Sequence, residues 1–345
     1  MRWWGGAGKV GKTLLLMPEI DRTILEAFLV AGDTPVSGDK IARELGLSRV
    51  SVWGRLERLR REGFVFEAST RVGYRMTRVP ERLHAALVAA RVRLLSGREL
   101  PLLGLEAVDS TNSEAERQLA AGREPPFGVL AAVQTAGRGR LGRVWHSKDN
   151  GNLYLSLAFR PLLAPERMQM FTLVMGVRLG HFLAERFGLK MQVKWPNDLL
   201  CDGRKLAGIL TEARIDADHV RDLVFGIGIN LNAREKDFPP ELRATAGSLA
   251  LAVGKPLDPH RTAAEIIAHL LASYEKFVAE GKGADFAELW TRYDFLCGKK
   301  VTVSMLGKEL AGTVAGLDES GALLLRDSKG NTHALNAGEV TLKKK

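Results

Sequence analysis

The sequence feature that most constrains this chain is a loop that alternates glycine with arginine directly after an apolar run. The run covers residues 129–133, and the loop reads Gly137-Arg-Gly-Arg-Leu-Gly-Arg143 before it ends at Trp145. Glycine lets a backbone adopt positive φ and approach a ligand closely. Arginine keeps its charge and offers five planar donors suited to a phosphate or a carboxylate. The pattern favours a strand that leads into an anion-binding loop, with a solvated basic turn as the alternative.

Two downstream segments strengthen the anion-binding interpretation. Lys194-Trp-Pro-Asn-Asp198 fits neither a helix interior nor an alternating strand, because Pro196 removes a backbone donor and fixes φ. It indicates a strand end that turns into a site. Lys205-Leu-Ala-Gly-Ile-Leu210 is an apolar strand that begins with a lysine. A lysine at a buried strand end is costly unless it faces an anion, so Lys205 is a candidate anion ligand. A lysine that flanks the strand in solvent is the alternative.

Together with two shorter motifs, these segments resemble the biotin–protein ligase family. The shorter motifs are Ser110-Thr-Asn112 and the strand end Gly226-Ile-Gly-Ile-Asn230. All five follow the family's order and spacing, so the resemblance covers about residues 100–340. It implies a central mixed α+β sheet akin to the class II aminoacyl-tRNA synthetases. It also implies ATP-dependent formation of biotinyl-5'-AMP, followed by transfer of biotin to a lysine of a biotin carboxyl carrier protein, that of acetyl-CoA carboxylase.

The resemblance and the chemistry of the residues define a candidate site. The expected catalytic residues are Lys205, Arg140 and Asp198. Arg140 and Lys205 would bind the biotin carboxylate and the bridging phosphate oxygens, since the barrier to the first step is largely the repulsion of two anions. Asp198 would either ligand the Mg²⁺ that accompanies ATP or help to deprotonate the acceptor lysine. No protein cage for Mg²⁺ is visible in the sequence.

Biotin's ureido ring requires paired donors and acceptors, which hydroxyl and amide side chains supply. Glycines would let the sheet backbone approach the bicycle, Trp145 would cover the acyl chain, and Arg143 would lie nearer pyrophosphate. The candidate biotin-binding residues are Ser110, Thr111, Asn112, Gln134, Gly137, Arg138, Gly139, Arg140, Trp145, Lys205, Gly208, Gly226 and Gly228. The candidate ATP-binding or adenylate-binding residues are Arg138, Arg140, Arg143, Lys194, Asn197 and Asn230.

Two positions depart from the family pattern. Leu141 stands where some members carry a further basic residue, which predicts weaker pyrophosphate binding by the loop. The segment over residues 244–249 is one residue longer than usual, which leaves the position of the adenine-side loop open.

Composition limits the class of protein. A chain of 345 residues with 46% hydrophobic residues predicts two or three domains with ample core. It contains no apolar run of membrane-spanning length and no signal-peptide pattern near Met1. Cys201 and Cys297 stand too far apart in sequence to suggest a disulfide framework or a metal site. We therefore expect a cytoplasmic protein without a membrane partner. The net charge of +10 suggests a polyanionic partner, with scattered surface arginines as the alternative.

The N-terminal part predicts a winged helix-turn-helix. Basic residues outnumber acidic ones over residues 37–79. Residues 37–45 form a first helix, and Ser48 caps a second whose inward face holds Val52, Leu56 and Leu59. Two strands, over 64–67 and 73–76, form a wing with a basic tip. This placement resembles the biotin–protein ligases that double as repressors.

The second helix would enter the major groove of DNA, and the wing would contact its backbone. The family's DNA-binding segment falls at residues 38–57, where Trp53 is also expected to be exposed. A protein-binding winged helix is the alternative. The candidate DNA-binding residues are Gly38, Ser48, Arg49, Ser51, Arg55, Arg58 and Arg71. If the protein represses, operator DNA is its partner and a homodimer is expected, since such domains usually read two half-sites.

The remaining chain divides by pattern. We predict a flexible tail over 1–17, the winged helix over 18–79, a basic helical connector over 80–99 with Leu83, Leu87 and Leu94 on one face, a biotin/ATP domain over 100–296, and an SH3-like barrel over 297–345. Residues 6–13 match the phosphate-loop expression. Nucleotide binding there is not expected, because no strand precedes the motif and Pro18 interrupts the apolar run after it.

Two other functions remain open from the sequence. One is a biotin-sensing transcription regulator without ligase activity, against which Lys205 and the intact arginine loop argue. The other is a lipoate–protein ligase, a relative whose loop is glycine-rich but lacks the Gly-Arg-Gly-Arg pattern.

Overall fold

The structure is a computed structural model that describes residues 19–69, 72–147, 151–305 and 308–342. The tail predicted over 1–17, with its phosphate-loop match, and the candidate DNA ligand Arg71 lie outside these residues. Across the described ranges, each helix is either too short or too polar to span a bilayer. The domain boundaries expected from the sequence stay predictions.

The N-terminal part is a winged helix-turn-helix, which confirms the prediction. Its elements are α1 (Glu19–Ala31), α2 (Gly38–Leu45), α3 (Arg49–Arg61) and the hairpin of β1 (Val65–Ser69) and β2 (Gly73–Arg78). Helix α1 was not predicted. The Ser48 hydroxyl accepts a hydrogen bond from the Ser51 amide and so caps α3. Gly46 ends α2 in the left-handed conformation.

A single apolar core holds these helices together. Val52, Leu56 and Leu59 of α3 are buried against Ile24 and Phe28 of α1. The wing is joined to the turn before α2, because the backbone of Val36 pairs with Tyr74. The orientation of α3 is therefore set by contacts on two sides.

The predicted helical connector is a helix whose first two turns are largely buried. Helix α4 (Ala85–Ser96) places Ala86, Leu87 and Ala90 in the N-terminal core and Val88 and Val92 in the central core. Leu94 was expected on the buried face, but it is 47% exposed. The reason is that alanines let both neighbours approach the first two turns closely, so burial there does not follow a leucine stripe.

The central part is a seven-stranded mixed sheet, as predicted. Its strands are β3 (Leu102–Val108), β4 (Phe127–Gln134), β5 (Leu153–Phe159), β6 (Met191–Lys194), β7 (Asp198–Cys201), β8 (Arg204–Asp216) and β9 (His219–Ile229). They are ordered β3-β4-β5-β9-β8-β7-β6, with β3 and β4 parallel and every other pair antiparallel. Strands β3 and β7 were not predicted, whereas β6 ends at Lys194, where the sequence indicated a strand end.

Helices cover the sheet on both faces. They are α5 (Thr111–Ala120), α6 (Pro165–Met168), α7 (Phe171–Phe187), α8 (Leu249–Val253), α9 (Pro259–Glu280) and α10 (Phe286–Tyr293). The amphipathic pattern over residues 165–187 predicts one long helix, but the structure divides it into α6 and α7. Helix α5 was not predicted. Helices α7, α9 and α10 contribute to the main core, whereas α5 covers a smaller core on the opposite face.

The C-terminal part is a small antiparallel β-domain, consistent with the predicted SH3-like barrel. Its strands are β10 (Lys300–Met305), β11 (Lys308–Leu317), β12 (Leu323–Arg326), β13 (Thr332–Leu335) and β14 (Glu339–Leu342). They are ordered β13-β12-β11-β10-β14. The indole Nε1 of Trp195 donates a 3.0 Å hydrogen bond to the carbonyl of Gly321. This bond ties the loop between β6 and β7 to the C-terminal domain.

Candidate functional site

A cavity of about 930 Å³ opens between the central sheet, the loop over residues 137–145 (the arginine loop) and strand β14. Arg140 and Lys205 line this same cavity, from the loop and from β8. Every other candidate biotin or ATP residue lines it except Gly137.

The arginine loop is a tight hairpin. The Trp145 amide donates to the Gly137 carbonyl at 2.8 Å, and the Gly139 amide donates to the Arg143 carbonyl at 2.7 Å. An ideal Cβ at Gly137 would lie 2.5 Å from the Trp145 carbonyl oxygen. Gly137 is therefore needed to close the base of the hairpin, and its assignment to biotin binding stays a prediction. Leu141 forms the tip at a φ of 54°.

A buried polar cluster forms the floor at one end of the cavity; we define the ring-side cluster as Thr111, Asn112, Gln134 and Ser156. Gln134 Oε1 accepts from the amide of Thr111 at 2.8 Å and from its hydroxyl at 3.1 Å. The Ser156 hydroxyl lies 2.8 Å from Thr111 Oγ1 and 2.6 Å from Asn112 Oδ1. Ser110 is also buried and immediately precedes α5, next to Thr111 of the cluster. The cluster is preorganised for a ligand rich in donors and acceptors.

Trp145 covers the cavity floor next to two glycines. An ideal Cβ at Gly228 would lie 2.5 Å from the Trp145 ring, and one at Gly208 would lie 3.0 Å from it. A side chain at Gly228 would therefore displace the indole, and one at Gly208 would press against it. The indole Nε1 is buried, and no hydrogen-bond partner for it is found among the described residues. At Gly226 the close neighbour is Asn112, whose Oδ1 would lie 2.0 Å from a Cβ.

The cavity has more positive than negative side chains. Its lining charges are Arg138, Arg140, Arg143, Lys194 and Lys205 against Asp198 and Glu339. Burial lowers the pKa of Arg140, which the nearby Asp198 partly opposes. Burial also lowers the pKa of Lys194, an effect that Asp198 opposes and the positive charges of Lys205 and Arg143 reinforce. Crowded, partly desolvated cations of this kind favour an anionic ligand.

The two candidate catalytic side chains Lys205 and Asp198 contact each other. Lys205 Nζ lies 2.7 Å from Asp198 Oδ1, and it lies 5.3 Å from the Trp145 ring centre. The Lys205 amide donates to the Thr245 carbonyl. Thr245 and Ala246 line the cavity, which places the segment 244–249 beside Lys205.

Three candidate ATP-binding residues, besides Arg138 with its partner Glu212, have protein partners. Arg143 forms an ion pair with Glu339 of β14. Asn197 Nδ2 donates to the Ile209 carbonyl at 2.7 Å, and Asn230 Nδ2 donates to the Gly247 carbonyl at 2.9 Å. The two asparagines thus hold the cavity walls in place.

The sequence interpretation missed several residues of the site. Ser156 stands in an otherwise apolar strand, and a lone hydroxyl in a fully buried run was the signal that could have found it. Glu212 contacts both Asn112 and Arg138. Residues 338–342 of the C-terminal domain also line the cavity, and no sequence signal places them there.

The exposed face of α3 is narrower than predicted. Arg49 and Ser51 are exposed, and Trp53 is 54% exposed. Arg55 and Arg58 were expected to face outward, but they are half-buried and form ion pairs with the buried Asp21 of α1. A buried carboxylate requires a cationic partner, which explains why these arginines turn inward.

The metal expectation can be tested against the donor set. In the portion of the chain that the structure describes, no group of three or more His, Cys, Asp or Glu side chains could hold a metal ion. Asp198 is the carboxylate beside Lys205 in the cavity. This donor set fits a Mg²⁺ ion carried mainly by nucleotide phosphates with one protein carboxylate.

The fold and the site together define a class of protein. It has a ligase-like part with a cationic cleft on a mixed sheet, joined to a winged helix-turn-helix of the DNA-binding type. The chain belongs to the biotin/lipoate A/B protein ligase family, which matches residues 104–230. An HTH domain matches residues 22–75, and the biotin protein ligase C-terminal domain matches residues 296–343.

Similar proteins cover nearly the whole chain. The bifunctional ligase/repressor BirA of Bacillus subtilis is 35% identical over 315 residues, which is 90% of this chain and 94% of that protein. The Escherichia coli protein of the same name is 32% identical, covering 89% and 92%. The biotin protein ligase of Aquifex aeolicus in complex with biotin and ATP has 28% identity and a TM-score of 0.59, covering 71% of this chain and 99% of that one.

Proposed function

We propose that this protein is an ATP-dependent biotin–protein ligase that also represses transcription. One observation carries the proposal: five cationic side chains and two carboxylates line a single cavity beside a preorganised polar cluster. Such a cavity can hold a carboxylate and a triphosphate together.

In the first step, a carboxylate oxygen of biotin attacks the α-phosphorus of ATP, and pyrophosphate leaves. Arg140 and Lys205 offset the repulsion between the two anions and stabilise the charge that develops on the phosphoryl oxygens. The ring-side cluster binds the ureido group, while Trp145 covers the acyl chain. Lys194 adds positive charge for the phosphates, and Arg143 exchanges Glu339 for pyrophosphate.

In the second step, the amine of an acceptor lysine attacks the acyl carbon of biotinyl-5'-AMP, and AMP leaves. The acceptor is the biotin carboxyl carrier protein of acetyl-CoA carboxylase. Before substrates bind, Asp198 orients Lys205 through their ion pair. Mg²⁺, which shields phosphate charge, would be held by ATP oxygens with Asp198 as its carboxylate contact.

The repressor function uses the exposed face of α3. Arg49, Ser51 and the capping Ser48 lie at the N-terminal end of this helix, the part that reaches base edges in helix-turn-helix complexes. A homodimer would present two such helices to operator DNA. We place the protein in the cytoplasm, where ATP, carrier protein and DNA are all present.

The ligase proposal is tested by incubating the full chain with ATP, Mg²⁺, biotin and a carrier domain. Intact-mass measurement should show one added biotinyl group on the carrier. A chain that binds biotin but forms neither adenylate nor labelled carrier is a sensor only. Preferential transfer of lipoate in a competition would identify a lipoate ligase instead.

The repressor proposal needs a separate experiment. With biotin and ATP present, the protein should bind DNA upstream of its host's biotin genes, and the affinity should fall as salt rises. Equal binding to unrelated DNA would contradict sequence-specific repression.

A further inference from the structure

Glu212 of β8 joins two parts of the cavity that are far apart in sequence. Its Oε2 accepts a 2.7 Å hydrogen bond from Asn112 Nδ2 of α5 and a 2.8 Å hydrogen bond from Arg138 Nη2 of the arginine loop. Its side chain is 28% exposed, so the charge is partly shielded from water. Hydrogen bonds to an ionised carboxylate are stronger than neutral ones.

Two hydrogen-bond chains begin at the fully buried Ser156, and Glu212 completes one of them. One chain runs through Asn112 and Glu212 to Arg138, at the start of the arginine loop. The other runs through Thr111, Gln134 and Ser147 to the backbone carbonyl of Trp145, at the end of the loop. Both arms of the loop are therefore held by the same polar centre.

The Glu212 chain ends in an ion pair, whereas the chain through Gln134 and Ser147 contains only neutral groups. Asn112 cannot be moved easily, because it also donates to the Leu210 carbonyl at 3.2 Å and lies against Gly226. Arg138, with 39% of its side chain exposed, is the flexible member. The Glu212 carboxylate therefore fixes the position of Arg138 relative to the ring-side cluster.

We propose that Glu212 is a positioning residue for ligation, which binds Arg138 beside Asn112 so that the ring-side cluster and the arginine loop assemble as one unit. Glu212 acts through Arg138 and does not itself line the cavity. The inference rests on the proposed ligase function. Its consequence is that contacts within the protein hold the loop near the biotin site.

The test compares Glu212→Gln with the intact protein in steady-state biotinyl-adenylate formation. The amide keeps the shape but loses the charge, so the KM for biotin should rise about tenfold, while kcat should change less than about threefold. Asp216→Asn is the matched control, because Asp216 lies at the far end of β8 and pairs with Arg221 of β9. It should leave both constants unchanged.

A double-mutant cycle separates positioning from a general loss of structure. If Glu212 acts through Arg138, adding Glu212→Gln to Arg138→Gln should cause little further loss. Additive losses would overturn the proposal, as would a Glu212→Gln variant with the intact protein's KM.

Trypsin cleavage at the arginine loop supplies a readout without catalysis. Glu212→Gln should be cut there faster than the intact protein and Asp216→Asn, at equal thermal stability; equal cleavage rates would contradict the proposal. Failure of the intact protein to form adenylate would refute the proposed function instead, and the cleavage comparison would still decide whether Glu212 holds the loop.

Discussion

Lys205 Nζ lies between a carboxylate and an aromatic face, 2.7 Å from Asp198 Oδ1 and 5.3 Å from the ring centre of Trp145. The carboxylate and the aromatic face hold the amine at the cavity wall, while 36% of the Lys205 side chain stays exposed. Lys205 is thus oriented by the protein and accessible to a substrate anion.

Lys205→Met should therefore abolish most adenylate formation. Loss of one aimed cation near a developing phosphoryl charge costs on the order of 3 kcal/mol, or about a hundredfold in kcat. Pyrophosphate release measures the effect. Lys255→Met is the control, since Lys255 is exposed outside the cavity. Equal activity of the two variants would contradict the role of Lys205.

Gly228→Ala should weaken biotin binding by displacing Trp145. The added methyl would lie 2.5 Å from the indole, so the ring must leave its place on the sheet. We expect a rise of at least tenfold in the biotin Kd, measured by calorimetry, together with a change in tryptophan fluorescence. Gly54→Ala, where a Cβ meets no atom within 4 Å, should leave biotin binding unchanged.

Arginines of α3 should separate into DNA-binding and structural groups. Arg49→Ala should weaken DNA binding and reduce its salt dependence without lowering stability. Arg58→Ala should lower the free energy of unfolding by about 2 kcal/mol or more, because Asp21, which is fully buried, loses a charged partner. Urea unfolding and DNA titration on both variants test the distinction. Equal stability of the two variants would contradict it.

Stability should fall in mild acid because two buried histidines resist protonation. Burial lowers the pKa of His260 and of His269 from 6.5 to about 4. The unfolded chain binds these protons first, so the stabilisation is complete above pH 6.5 and is lost as the pH falls towards 4. Each group contributes on the order of 3 kcal/mol to this loss.

The measurement is urea unfolding at pH 7 and pH 5. His260→Gln should reduce the difference between the two, whereas His146→Gln, at an exposed position, should not. A pH dependence that is unchanged in His260→Gln would show that other groups cause it.

Patterned elements were predictable from the sequence. The C-terminal strands are separated by glycine turns, and α3 has a capping serine before an apolar stripe. Strands β6 and β7 are four residues each and too short to show a period. Helix α5 is largely polar, so Ser110-Thr-Asn112 suggested ligand binding rather than the start of a helix.

The site was predictable only in part. Motif glycines and cations pointed to the cavity, because their chemistry is unusual wherever they stand. Partners such as Glu212 and Glu339 are ordinary surface-type residues, and only the folded chain brings them to Arg138 and Arg143. The inward turn of Arg58 likewise depends on the carboxylate of Asp21, which is distant in sequence.

Helix α4 packs into both the N-terminal core and the central core, so truncation on either side of it disrupts apolar packing. Removing the chain up to residue 79 would expose Ala86, Leu87 and Ala90 as an apolar stripe on the remaining protein. Removing it up to residue 98 would take Val88 and Val92 out of the central core. The DNA-binding part and the ligase part thus share one helix, and each depends on that helix for some of its apolar core.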